Sequence, residues 1–184
     1  DPGEDEVIKD PALHWAVRSS LNSIKDRPKL TAELVGSKQV KNISYALCAH
    51  AEDFAGWKKQ YWIKSLEGLQ YAKSAKMIEI CYSNEGQKGE NEIKDLSPLS
   101  NLSQLQKLIL KQNNIDNISP LTGMAGLQEL DVSGNYGISD VSVVANMPKL
   151  KILVLGNNVI TDISAVTELQ ELQYLDIQEN NIES

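Results

Sequence analysis

The sequence predicts an α/β solenoid: short parallel strands stacked along one axis, with a helical segment at the N-terminal end. Three observations predict it. Leu108, Leu130, Leu153 and Leu175 recur 22, 23 and 22 residues apart, each inside the same apolar template. Each is followed at a fixed offset by an asparagine, namely Asn113, Asn135, Asn158 and Asn180. Ahead of these copies, Asp10-Pro11 opens a run whose apolar residues fall at helical spacing.

Taken in order, residues 1–6 (Asp1-Pro2-Gly3-Glu4-Asp5-Glu6) form a polar, disordered tail. Residues 7–39 read as a helical cap. Asp10 suits the N-cap and Pro11 the first helical position. Leu13, Ala16, Val17, Leu21 and Ile24 then form one apolar stripe. Thr31 starts a second short helix through Leu34 and Val35. A stack of repeats leaves its first layer open, and such a segment would cover it.

Residues 40–184 read as the repeat array, about five units of about 22 residues. In each regular unit a leucine and a second aliphatic residue two positions on, as in Leu108-x-Leu110, send alternate side chains inward, as a strand does. The asparagine then turns the chain and satisfies backbone groups that no strand partner reaches. Apolar residues at three-residue spacing carry the chain back over the far side as tight helical turns. This is the pattern of leucine-rich repeats, whose parallel strands line a concave face. One unit carries an extra residue at Asn135-Tyr136-Gly137-Ile138, and Gly137 is expected to absorb it with a positive φ. Two earlier units match more weakly, through Val40, Ile43, Tyr45 and Cys48, then Leu66, Leu69, Ala72, Ala75, Ile78 and Ile80. They are interrupted by insertions at 49–62 and 84–91. The chain stops at Ser184 before the last unit is complete, so the array is expected to be truncated there.

The totals narrow the function. Of 18 basic and 25 acidic side chains, the whole excess of −7 falls after residue 62. An acidic array repels phosphate backbones, which argues against nucleic acid and for a protein ligand. No apolar run is long enough to insert into a membrane. The two histidines, His14 and His50, have no metal-ligand spacing and no nucleophile partner, so neither metal, cofactor nor catalysis is expected. Asp95, Asp140 and Asp162 recur at one repeat position and belong to the repeat. Cys48 falls at an asparagine position, inward, and Cys81 one residue past an inward isoleucine, outward. That geometry predicts two free thiols, and the chain is expected to be a monomer. Sequons at Asn42, Asn101 and Asn117 read as by-products of Asn- and Ser-rich repeats.

A binding surface would lie on the outward strand positions. Their columns bring Lys107, Glu129, Ile152 and Tyr174 alongside Ile109, Asp131, Val154 and Asp176. Ile109, Ile152, Val154 and Tyr174 are apolar where exposure is expected, inside a charged rim. In the first insertion, Phe54, Trp57, Tyr61 and Trp62 give a short helix one aromatic face. That face either packs down on the array or protrudes as a second recognition element. The second insertion is a polar, glycine-bearing loop.

Ser65-Leu66-Glu67-Gly68-Leu69-Gln70-Tyr71-Ala72, Asp95-Leu96-Ser97-Pro98-Leu99 and Thr161-Asp162-Ile163-Ser164 resemble internalin-type repeats of Gram-positive bacteria. Ile8-Lys9-Asp10-Pro11-Ala12-Leu13 resembles the helical cap of that family. The resemblance implies an extracellular or surface-attached adhesion module that grips a host surface receptor with its concave strand face. Two other functions fit the same fold: an intracellular regulatory scaffold, or the targeting arm of a larger surface protein.

Overall fold

The computed structural model of the chain describes residues 7–19, 31–36, 40–47, 63–82 and 93–183. The predicted tail, both insertions and the aromatic residues Phe54, Trp57, Tyr61 and Trp62 lie outside them. Six strands form one parallel sheet in sequence order: β1 (Asn42–Leu47), β2 (Met77–Tyr82), β3 (Lys107–Ile109), β4 (Glu129–Asp131), β5 (Ile152–Val154) and β6 (Tyr174–Asp176). The return segments are 3-10 turns, at Leu69–Tyr71, Ser97–Leu99, Ser119–Gly123, Ser142–Asn146 and Ser164–Glu168. Their three-residue pitch matches the spacing of the apolar residues, so one side chain per turn points back to the strands.

Each unit contributes a layer to one continuous core. Leu108, Leu130 and Leu153 are fully buried at the strand centres, and Leu99, Leu121 and Val144 meet them from the turns. Burying each such side chain contributes about 1.5–3 kcal/mol, and only in the presence of the neighbouring layers. The last unit is looser: Leu172, Leu175 and Ile177 are only partly buried.

The asparagines form the expected ladder. Asn135 Nδ2 donates to Leu110 O of the preceding unit at 3.2 Å and to Val132 O of its own at 2.7 Å. Its Oδ1 accepts the Ile115 N–H at 3.0 Å. Asn180 repeats both halves of this arrangement, its Oδ1 accepting the Ile160 N–H at 3.0 Å, and Asn113 and Asn158 repeat the donor half. The residue before each ladder asparagine is left-handed: Gln112, Gly134, Asn157 and Glu179 have φ between 52° and 68°. Only one of the four is glycine, so this recurring turn leaves no glycine signature.

The extra residue after Asn135, in the second of the four regular units, is absorbed differently from expectation. Tyr136, not Gly137, takes the positive φ, at 58°. Gly137 is needed for another reason: a Cβ there would stand 3.2 Å from Asp116 Cβ of the preceding unit. The insertion also breaks the ladder locally. Gly137 occupies the place that Ile115 and Ile160 hold two residues past their asparagines, and Asn158 Oδ1 is left buried without a partner.

At the N-terminal end, helix α1 (Pro11–Ser19) places Leu13, Ala16 and Val17 in the same core as Ile43 of β1. A second helix, α2 (Ala32–Val35), follows Thr31. Asp10 joins α1 to the first turn. Its Oδ1 accepts the Ala12 and Leu13 N–H groups, both at 3.0 Å, as an N-cap does. Its Oδ2 accepts the Lys64 and Ser65 N–H groups at 2.7 and 3.1 Å. Gly68 completes the junction. With φ at 98° it lets Ile8 approach so closely that a Cβ would lie 2.6 Å from Ile8 Cγ1.

Candidate functional site

The strand register assembles the outward columns. Met77, Lys107, Glu129, Ile152 and Tyr174 are successive partners, and so are Glu79, Ile109, Asp131, Val154 and Asp176. All eight sequence-predicted face residues therefore lie in two adjacent rows. Alternation along each strand sends these side chains away from the core that Leu108, Leu130, Leu153 and Leu175 occupy.

Exposure along the rows is graded, and here one expectation fails. Ile109 is 9% exposed, whereas Ile152 and Val154 are half-buried and Tyr174 is 54% exposed. Ile109 sits in mid-sheet, with Glu79 and Asp131 beside it in register. Tyr174 stands on the last strand of the order and has a neighbour on one side. Cross-strand neighbours shield an outward side chain as effectively as they pair with it. The accessible apolar surface is thus Ile152, Val154 and Tyr174, toward β5 and β6.

The charged residues are not equivalent either. Lys107 Nζ and Glu129 Oε1 form an ion pair at 2.9 Å, so their charges offset one another. Asp131 Oδ1 accepts from the Ser133 N–H at 3.0 Å and from Ser133 Oγ at 2.6 Å. Asp176 Oδ1 accepts the Gln178 N–H at 3.0 Å. These bonds fix both carboxylates while leaving their charge uncompensated on either side of Val154. Electrostatically, the face near the apolar trio is negative.

Cys81 corrects the free-thiol expectation: it is disulfide-bonded, and no described cysteine is free. It is fully buried yet stands outside the core cluster. The chain has one other cysteine, Cys48, which lies outside the described residues. The expectation treated position 48 as a copy of the later asparagine positions, an inward turn residue. β1 and β2 instead run six residues each, and Cys81 opposes Ala46 across them. Alternation thus continues to Leu47 and Tyr82, past the point where later units turn.

The recurring aspartates have a structural task. Asp95, Asp140 and Asp162 each accept the N–H of the serine two residues on, at 2.7–2.8 Å, at the start of a 3-10 turn. Bonds to that serine's backbone and side chain hold all three carboxyls below their ordinary range. Asn117 does the same job without a charge, accepting the Ser119 N–H at 2.9 Å. Among the described residues, no cluster of three or more His, Cys, Asp or Glu side chains could hold a metal ion. No helix among them is long and apolar enough to cross a membrane.

Known proteins share this architecture. Residues 103–146 and 125–168 match the family described as leucine-rich repeats in two copies. No curated protein matches the chain. Internalin C2 of Listeria monocytogenes is similar in structure over 100% of this chain and 73% of its own, with a TM-score of 0.74 and 26% identity. A second internalin of that species, InlF, aligns over 97% of this chain and 52% of its own, with a TM-score of 0.65 and 23% identity. A leucine-rich-repeat protein of Leptospira interrogans aligns over 83% of this chain and 35% of its own, with a TM-score of 0.63 and 22% identity. This chain thus spans about half the length of the second internalin and about a third of the Leptospira protein. With its parallel strands, asparagine ladder and internalin neighbours, the chain is an internalin-like leucine-rich-repeat protein.

Proposed function

We propose that the chain is an extracellular recognition and adhesion module that binds a protein on a host cell surface through its concave strand face. The observation that carries this reading is the contiguity of Ile152, Val154 and Tyr174. Ile152 and Tyr174 are direct register partners, and Val154 lies two residues along the same strand. Asp131 and Asp176 flank them with fixed negative charge. An apolar centre inside a charged rim is the composition of a protein interface. The partner would bring an apolar knob with basic groups beside it. Lys107, Ile109 and Glu129 border the site and set its shape more than its affinity. Residues 7–39 act as the cap of the array, and the segment 40–184 is the binding unit.

The disulfide at Cys81 favours an oxidising compartment over the intracellular scaffold that the fold alone would also allow. The test is capture of host surface proteins by the purified chain and by a variant carrying I152A, V154A and Y174A. The variant should melt at the parental temperature and capture at least about a hundredfold less, the loss of a central hot spot. Unchanged capture by a folded variant would remove the concave face from the function.

A further inference from the structure

The bulge at Tyr136 makes a second feature, off the strand rows and separate from the face above. A cleft of about 260 Å³ lies between two successive units, lined by Asn113, Asn114, Ile115, Asp116, Asn135, Tyr136 and Gly137. Tyr136 stands at its edge, 48% exposed, held in the left-handed region by the extra residue. Tyrosine adopts that conformation only at a cost, which its surroundings must impose. Beside it, Gly137 approaches Asp116 closely, so that a Cβ at that position would stand 3.2 Å from Asp116 Cβ.

The polar groups around the cleft are unequally engaged. Asn135 spends its amide on the ladder. Asn113 likewise spends its Nδ2 on the ladder. Asn114 is exposed, and its side-chain amide bonds no other described residue. Asp116 Oδ2 is paired with Lys94 Nζ at 2.9 Å, which neutralises the cleft and leaves its second oxygen as an acceptor.

We propose that this cleft is a saccharide subsite, taking one neutral hexopyranose unit of a glycan. The charge balance decides among ligand classes. A free anion would meet the Asp116 carboxylate, and a guanidinium or ammonium would compete with the Lys94 ammonium already there. A neutral ligand meets neither penalty. Among neutral ligands, a pyranose offers hydroxyls that both donate and accept, which the Asn114 amide and the remaining Asp116 oxygen complement. It also offers one face of C–H groups for the Tyr136 ring to cover. An exposed aromatic platform beside planar amide and carboxylate groups is the side-chain set such a ligand requires.

The experiment is a titration of the isotopically labelled chain with the methyl glycosides of galactose, mannose and N-acetylglucosamine at millimolar concentration. Amide shifts are followed across the array. At least one glycoside should give saturable shifts confined to residues 113–116 and 135–138. Tyr136→Gly keeps the left-handed turn without the ring and should weaken that binding about tenfold, as should Asn114→Ala. The I152A, V154A and Y174A variant should bind the glycoside as the parent does, so failure of the concave-face reading leaves this one standing. Absence of saturable shifts with all three glycosides would overturn the proposal. So would binding that Tyr136→Gly leaves intact, or selective shifts here with an arginine-rich peptide in place of the sugars.

Discussion

Replacing Asp10 by alanine removes four hydrogen bonds at the point where α1 meets the array. Two of them, to the Ala12 and Leu13 N–H groups, make up the helix N-cap. Loss of such a cap costs about 1 kcal/mol. The other two, from the Lys64 and Ser65 N–H groups, cross from the first turn to the same carboxylate. They are solvent-accessible, so each is worth about 0.5–1.5 kcal/mol rather than the larger value of a buried ionic bond. Together the loss is about 2–4 kcal/mol. For a chain of this size that lowers Tm by roughly 5–12 °C. Thermal unfolding followed by circular dichroism measures the total, and amide exchange at Leu13, Lys64 and Ser65 locates it. Asp10→Asn keeps one acceptor oxygen but sets an NH2 group against a pair of N–H donors, so it should recover no more than half. If Asp10→Ala melts within about 1 °C of the parent, the carboxylate does not join the helix to the array. If α1 exchanges faster while Lys64 and Ser65 are unchanged, the cap matters and the crossing bonds do not.

Other perturbations test the array itself. Tyr136→Gly should raise stability by about 1 kcal/mol, since glycine takes a positive φ without the Cβ conflict, and denaturant midpoints will read it. Gly137→Ala should act in the opposite sense, because its Cβ would crowd Asp116. Cys81→Ser should cost about 2–5 kcal/mol, and a reducing agent should lower Tm of the parent but not of the variant. The carboxyls of Asp95, Asp140 and Asp162 are lowered in the fold, so their contribution is complete above the ordinary carboxylate pKa of 3.8 and disappears as pH falls through the lowered values. Asp→Asn at all three, following the example of Asn117, should flatten the acid limb of a plot of Tm against pH. An unchanged limb would move acid sensitivity to other groups.

The repeat was legible because it is written in burial. A leucine that must be inside recurs wherever the backbone returns to the same place, so Leu108, Leu130, Leu153 and Leu175 announce the strands without any other knowledge. The asparagine ladder is equally plain, since few side chains both donate to two carbonyls and fit a buried turn. The outward rows followed from the register alone. Exposure within them did not, because shielding depends on how many strands stand beside a residue, and Ile109 has one on each side where Tyr174 does not.

What could not be read were the places where a unit departs from the template. The junction at Asp10 joins residues 54 and 55 positions apart, and a lone aspartate before a proline shows only half of its role. The bulge at Tyr136 was misassigned for a physical reason. Glycine serves two needs, a positive φ and the absence of a Cβ, and the sequence does not distinguish them. At Gly137 it is the second need that the structure shows, and the positive φ falls on its neighbour Tyr136. The disulfide was missed by the same kind of step: position 48 was read as a copy of the later asparagine turns. In a solenoid each unit is held by its two neighbours, so regular positions are fixed by the template and irregular ones by the adjoining layer. The features that set this chain apart from a generic array therefore sit at its interruptions. Tyr136 and Cys81 both lie there, and both are set by the adjoining layer rather than by the unit to which they belong.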